Sequence, residues 1–361
     1  MLALEFHLRH LAQSLKPARL ILITDQKIAD LHAPFFARHS VVTELVTCPA
    51  LGNCSPWAWL RFYWRMRRYG CSLAVIGGTR NPFALHAWLC GIPQRVGFAL
   101  NRLEHFFLTH RVTTELHESG ETDLVGYVAA FTRAMGLPFL ATSAAITRPQ
   151  LLYREEPLPW LDAPRPIVCV HLGGSHHYNR RWPPDRYAEL CRRVIRELGG
   201  SVYLVGGPAE HAECEALCNA VSSGSDRAAT VLNLTGPSLD HTATYIANSD
   251  VFVGNDSGVL HVAAALAVPI VGVFGPSNPG IWRRAYPSMR VVSRPYGCHR
   301  GSFAQIRHRA RQTSCLKYRC RYAYEPGKLS YPVCLAAVTV EEVWAQVRTV
   351  LACTSSNATS R

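Results

Sequence analysis

Val251-Phe252-Val253-Gly254-Asn255-Asp256-Ser257-Gly258-Val259-Leu260-His261-Val262-Ala263-Ala264-Ala265-Leu266-Ala267-Val268-Pro269-Ile270-Val271-Gly272-Val273-Phe274 is the stretch that decides the fold. Val251–Val253 is β-branched and aromatic, the composition of a buried strand. Gly254 and Gly258 free the backbone for a tight turn, and Asp256 or Ser257 can cap the Ala-rich helix that follows. Pro269 ends that helix, and Ile270–Phe274 reads as a second buried strand. The free N–H groups of a helix N-terminus favour an anion, and His261, one turn in, reaches the same point. The plainer alternative is a capped helix with no ligand.

The same alternation repeats upstream. Ile167–His171 reads as a strand before a loop and a helix over Pro184–Leu198. Val202–Val205 leads through Gly206-Gly207 to a helix near 209–221, and Val231–Leu234 leads through Thr235-Gly236 to a helix over Leu239–Ala247. Such βα repeats predict a parallel sheet covered on both faces, whose ligands bind outside the carboxyl ends of the strands. The Gly-rich loops all fall on that edge. In Gly173-Gly174-Ser175-His176-His177-Tyr178-Asn179-Arg180-Arg181-Trp182-Pro183-Pro184, the glycines permit close backbone approach, Ser175 offers a hydroxyl, and the arginines suit a diphosphate. A basic surface loop before a Pro-started helix explains the same residues. Glu210, after Gly206-Gly207-Pro208-Ala209, can accept from ribose hydroxyls or simply favour a first helical turn. Neither a GxGxxG nor a GxxxxGK[ST] loop is present, nor a GxSxG elbow.

The first half is less regular. An amphipathic helix is expected over 2–15, strands at Arg19–Thr24, Ser40–Val46, Cys71–Ile76 and Arg95–Phe98, and helices over Pro82–Cys90 and 121–136. Pro149 to Pro166 is Pro-rich and reads as the linker. This predicts one domain over 1–150, a second over 151–340, and a C-terminal helix with a polar tail over 341–361. Trp57-Ala58-Trp59-Leu60-Arg61-Phe62-Tyr63-Trp64-Arg65-Met66-Arg67-Arg68-Tyr69 reads either as an interfacial patch for anionic head groups or as a partly buried helix with solvated arginines. A second basic cluster, Arg307 to Arg321, is surrounded by Cys298, Cys315, Cys320 and Cys334, whose spacing fits reduced structural thiols better than zinc.

With 361 residues, 48% of them hydrophobic and 17% charged, the chain has the composition of a globular protein with substantial cores. No apolar run is long enough to span a bilayer, and Glu5, His7, Arg9 and His10 interrupt any signal-peptide core. The net charge of +13 predicts an anionic partner: nucleic acid, an acidic phospholipid surface or a phosphorylated substrate. No nucleic-acid module is legible, so no nucleic-acid partner is expected. Thirteen cysteines, an odd number in a long chain, predict reduced thiols and a cytoplasmic location.

Arg180 with Trp182-Pro183, then Leu204-Val205-Gly206-Gly207-Pro208-Ala209-Glu210, Leu234-Thr235-Gly236, Asn255-Asp256-Ser257-Gly258-Val259-Leu260-His261 and Phe274-Gly275-Pro276-Ser277 together resemble glycosyltransferase family 9, the ADP-heptose:lipopolysaccharide heptosyltransferases. The resemblance is strongest over residues 165–280. It implies an α/β fold of GT-B type, two Rossmann-like domains facing a cleft, with the nucleotide-sugar donor held by the second. It implies that Asp256, Ser257, Gly258 and His261 hold the diphosphate and sugar, that Arg180 and Ser175 contact phosphate, and that Glu210 holds the ribose. It further implies inverting transfer of heptose from ADP-heptose to a lipid A-core type acceptor, with no metal or cofactor, in peripheral contact with the cytoplasmic face of the anionic inner membrane. One departure concerns the base. Family members start with a buried strand and a Gly-Asp loop whose Asp takes the acceptor proton, and here Met1 stands almost at the following helix. The catalytic residue is therefore unassigned. Two readings follow, a start placed too late or a donor-binding remnant without activity, and the first is the expectation because losing a central strand is costly.

Overall fold

The computed structural model describes residues 11–24, 41–49, 54–77, 83–99, 102–112, 124–137, 163–174, 180–222, 231–236, 238–275, 279–282, 286–294 and 331–358, with isolated positions 8, 26 and 277. Backbone packing separates a unit of Leu4–Thr147 from one of Met1–Ala3 with Arg148–Arg361.

In the N-terminal unit, β1 (Ile21–Thr24) and β2 (Glu44–Thr47) pair in parallel. A second parallel sheet runs β3 (Leu73–Ile76), β4 (Gln94–Phe98) and β5 (His110–Val112) in that order. The helix Pro56–Tyr69 starts where Ser55 accepts from the Trp57 N–H at 3.2 Å and Pro56 takes the first helical position. It stops at Gly70, whose φ of +60° is the left-handed cap that glycine adopts without strain. Phe62 and Met66 point inward, packing with Val46, Ala87, Cys90 and Ile92. Trp57, Leu60 and Trp64 face solvent. Helices also cover Phe83–Leu89, Arg102–Phe107 and Leu124–Ala134. The expected segments 2–15 and 121–136 are only partly among the described residues, and helix is seen at 11–15 and Leu124–Ala134.

The C-terminal unit is built on one six-stranded parallel sheet: β6 (Ile167–His171), β7 (Ser201–Leu204), β8 (Val231–Asn233), β9 (Val251–Asn255), β10 (Ile270–Phe274) and β11 (Met289–Ser293). The spatial order is β11-β10-β9-β6-β7-β8. In chain order within the unit this is 3-2-1-4-5-6, the doubly wound arrangement that reverses between its first and fourth strands. β6, β9 and β10 are buried along their whole length, which explains their continuous apolar runs. The helix Pro184–Leu198 lays Tyr187, Leu190, Cys191, Val194 and Ile195 on the sheet and ends at Gly199. The last helix, Val340–Ala358, starts at a capping box: the Thr339 N–H donates to Glu342 Oε2 at 2.9 Å, and the Glu342 N–H donates to Thr339 Oγ1 at 3.2 Å. The α/β class with parallel sheets is thus as expected. β5, β11 and the helix Arg102–Phe107 were not read from the sequence.

Candidate functional site

The site residues gather where the winding of the sheet reverses. β6 and β9 are neighbours in register, Val170 opposite Val253 and His171 opposite Gly254, so the two strands end together. Leu172-Gly173-Gly174 and Asn255-Asp256-Ser257 therefore leave the sheet side by side. This is the crevice in which doubly wound sheets bind ligands.

Asn255 fixes the two loops to each other. Its side chain is fully buried, its Nδ2 donates to the Leu172 and Gly173 carbonyls at 2.9 and 3.2 Å, and its Oδ1 accepts from the Trp182 N–H at 3.0 Å. Trp182 is buried as well, its indole N–H donating to the Val338 carbonyl at 3.0 Å and its ring edge-on to Tyr187 at 4.8 Å. The Trp-Pro-Pro sequence thus anchors the loop that carries Arg180.

Arg180 Nη1 lies 3.4 Å from Asp256 Oδ2, an ion pair in which the carboxylate is nearly buried and the guanidinium about a quarter exposed. Ser257 occupies the N-cap position of the helix Gly258–Ala265, yet its side chain makes no cap bond. Its hydroxyl meets Nδ1 of the buried His171 at 3.1 Å instead. Of the two capping candidates, Asp256 and Ser257, Ser257 takes the N-cap position but its hydroxyl goes to a tertiary partner. The first N–H groups of that helix have no intrahelical acceptor. Burial, followed by the nearby Arg181, pushes His171 down to about 3, so its imidazole is neutral.

His261 sits one turn along. Its Nδ1 lies 3.1 Å from the Tyr286 hydroxyl, and its ring lies 4.3 Å from that of Trp282, which stacks on Tyr286. Burial pushes His261 down to about 4 despite the opposing pull of Asp256, and it raises the Tyr286 phenol. Both groups are neutral near pH 7.

Glu210 lies in the short turn that follows β7. Its Oε2 accepts from the Gly207 N–H at 2.8 Å and closes the turn Pro208–Glu210. Arg181 bridges Glu213 at 2.8 Å and approaches Glu210 Oε1 at 4.0 Å. Arg180, Asp256, Ser257, Gly258 and His261 are thus brought to the ends of β6 and β9, with Glu210 in the turn after the adjoining strand, β7. Ser175 and the basic cluster 307–321 lie outside the described residues. His171, Asn255, Trp282 and Tyr286 were not singled out from the sequence. A histidine at the end of a buried strand, facing a glycine pair, was the only signal for the first of them.

The profile of glycosyltransferase family 9 (heptosyltransferase) matches residues 83–308. Lipopolysaccharide heptosyltransferase 2 of Salmonella typhimurium is 34% identical over 154 residues, 42% of this chain and 43% of that protein, so the match spans less than half of that relative. The solved ADP-heptose lipopolysaccharide heptosyltransferase II of E. coli superposes with a TM-score of 0.67 at 20% identity, over 98% of this chain and 96% of that one. A second E. coli heptosyltransferase, WaaC, solved with ADP-2-deoxy-2-fluoro heptose, superposes with a TM-score of 0.54 at 16% identity, covering 81% and 90%. The described sheet order and the motif at its switch point occur within a sequence match that runs from the helix Phe83–Leu89 past β11, and the chain belongs to glycosyltransferase family 9, the heptosyltransferases.

Proposed function

We propose that the chain transfers heptose from ADP-heptose to the inner core of lipopolysaccharide, with inversion at the anomeric carbon and without a metal. The supporting observation is the convergence, at the switch point of the C-terminal sheet, of Arg180 with an uncapped helix N-terminus. In this reading Arg180, Ser257 and the first N–H groups after Gly258 receive the diphosphate, with Ser175 on the same loop as Arg180. Asp256 and His261 meet the sugar, and Glu210 meets the ribose through the oxygen not used by its own turn. Preorganised donors of this kind stabilise a leaving diphosphate without reorganising as charge develops. The acceptor hydroxyl attacks the anomeric carbon in line as ADP leaves, and its proton passes to a general base.

The N-terminal unit is the proposed acceptor side, working at the cytoplasmic face of the inner membrane. Its described residues carry ten arginines and lysines against two glutamates, Glu44 and Glu104, a net of +8. Trp57, Leu60 and Trp64 form an exposed stripe at helical spacing, with Arg68 over the Trp64 ring at 4.2 Å. No described helix is long and apolar enough to cross a membrane. Such a surface favours contact with anionic lipid by charge and aromatic side chains together.

The test is incubation of the full chain with ADP-heptose and a heptose-free core lipid, with and without chelator. The expected product has gained one heptose, with anomeric configuration opposite to the donor's, and chelator leaves the rate unchanged. Donor binding without turnover would make the chain a nucleotide-sugar-binding protein instead.

A further inference from the structure

The Ser257 backbone, with φ −140° and ψ 168°, has the extended conformation of an N-cap, and serine is among the best residues for that position. Left alone, its hydroxyl would turn onto the N–H of Val259 or Leu260 and close the helix N-terminus. It does not: the hydroxyl lies 3.1 Å from His171 Nδ1 and makes no cap bond. The ring is itself held from behind. A Cβ on Gly173 would stand 2.7 Å from His171 Nε2 and 2.5 Å from Glu210 Oε1, so the loop backbone packs directly on the imidazole and only glycine fits there. Burying an imidazole in this way costs the fold stability, so packing alone does not account for it.

We propose that His171 is a positioning residue. By holding the Ser257 hydroxyl it prevents that hydroxyl from capping the helix Gly258–Ala265, and so keeps the first N–H groups of the helix open to the donor diphosphate. The proposal rests on the donor-binding reading above. Imidazole suits the task because one ring nitrogen accepts or donates according to tautomer. In the tautomer protonated at Nε2, Nδ1 accepts the hydrogen bond of the Ser257 hydroxyl; in the other tautomer the Nδ1 N–H donates to Oγ, so either form holds the hydroxyl away from the helix.

The test measures affinity for ADP and for inorganic pyrophosphate, together with thermal midpoint, in the wild type, His171→Leu, His171→Asn, Ser257→Ala and the double variant His171→Leu/Ser257→Ala. His171→Leu is expected to bind either ligand about tenfold more weakly with an unchanged or raised midpoint, because Ser257 then caps its helix. His171→Asn, whose amide can also hold Oγ, is expected to keep most of the affinity. In the Ser257→Ala background His171→Leu is expected to have no further effect, since no hydroxyl remains to block the N–H groups. Equal losses in both backgrounds, equal losses in the Leu and Asn variants, or wild-type affinity in His171→Leu would each overturn the proposal. A wild type that binds pyrophosphate but not ADP would overturn the donor reading alone, and the same variants would then decide the role of His171 on pyrophosphate. A wild type that binds neither overturns both.

Discussion

Asn255 holds the site together at the scale of one side chain. Three buried backbone groups depend on its amide: two carbonyls of the β6 loop and the Trp182 N–H. Asn255→Ala leaves all three without partners. Unsatisfied buried groups cost about 1–3 kcal/mol each, and partial relaxation brings the expected sum to about 3 kcal/mol. In a unit of this size that lowers the thermal midpoint by about 6–12 °C, measurable by circular dichroism. Asn255→Asp keeps the acceptor for Trp182 but turns a charged oxygen on two carbonyls, and is expected to melt no higher than the alanine variant. Asp256 poses the opposite question. Its carboxylate is paired with Arg180 at 3.4 Å, and a carboxylate beside a diphosphate repels it. Asp256→Asn is therefore expected to bind ADP as well as or better than the wild type, while transfer from ADP-heptose falls by about a hundredfold if the carboxylate holds the sugar. Calorimetry with ADP beside a turnover assay separates the two effects, and weaker ADP binding in this variant would contradict the assignment.

At the scale of elements, the helix Pro56–Tyr69 divides its labour by face. Phe62 and Met66 are in the core, whereas Trp57, Leu60 and Trp64 are 72%, 55% and 62% exposed. Phe62→Ala is expected to destabilise the N-terminal unit by about 3 kcal/mol through the cavity it leaves. The pair Trp57→Ser with Trp64→Ser is expected to change stability by less than about 0.5 kcal/mol while weakening sedimentation with phosphatidylglycerol vesicles, and salt should weaken what remains. Unchanged vesicle binding in that pair would remove this helix from the lipid contact. The partly buried helix that the sequence offered is seen, and the interfacial reading is the one that the vesicle measurement tests. The ends of this helix are set by local signals, Ser55, Pro56 and Gly70, which the reading of Trp57–Tyr69 did not use. The helix Arg102–Phe107 and strand β5 were not legible, being too short to show a period. The site divides in the same way. Asp256-Ser257-Gly258 could be read from glycine spacing beside a strand, but the bonds from Ser257 to His171 and from His261 to Tyr286 span 86 and 25 residues. Contacts at such separation leave no periodic trace, and they decided that Ser257 faces a histidine rather than its own helix.

For the whole molecule the buried histidines predict a loss of stability toward acid. His171 and His261, both in the C-terminal unit, are held by burial at about 3 and about 4, against about 6.5 for an unfolded chain. Burial lowers His86 of the N-terminal unit as well. Between the unfolded and folded values the unfolded state binds more protons, so stability rises with pH there and is lost as pH falls below about 6.5. Each of the two deeply shifted imidazoles contributes a slope of up to about 1.4 kcal/mol per pH unit. The carboxylates act in a different window. Glu44, lowered first by the Tyr69 hydroxyl, and Glu341, lowered first by a backbone hydrogen bond, add stability that is lost only below the ordinary carboxylate value of 4.5. Between pH 6.5 and 4.5 the loss therefore belongs to the histidines. Urea unfolding at half-unit steps across that window is expected to show stability falling steeply toward acid in the wild type. His171→Asn, which removes one buried imidazole without removing a partner for Ser257, should lose roughly half of the slope. A wild-type profile that stays flat from pH 6.5 to 4.5 would mean that the folded chain takes up protons as readily as the unfolded one, and that the imidazoles beside Ser257 and Tyr286 are not held below their ordinary value by burial.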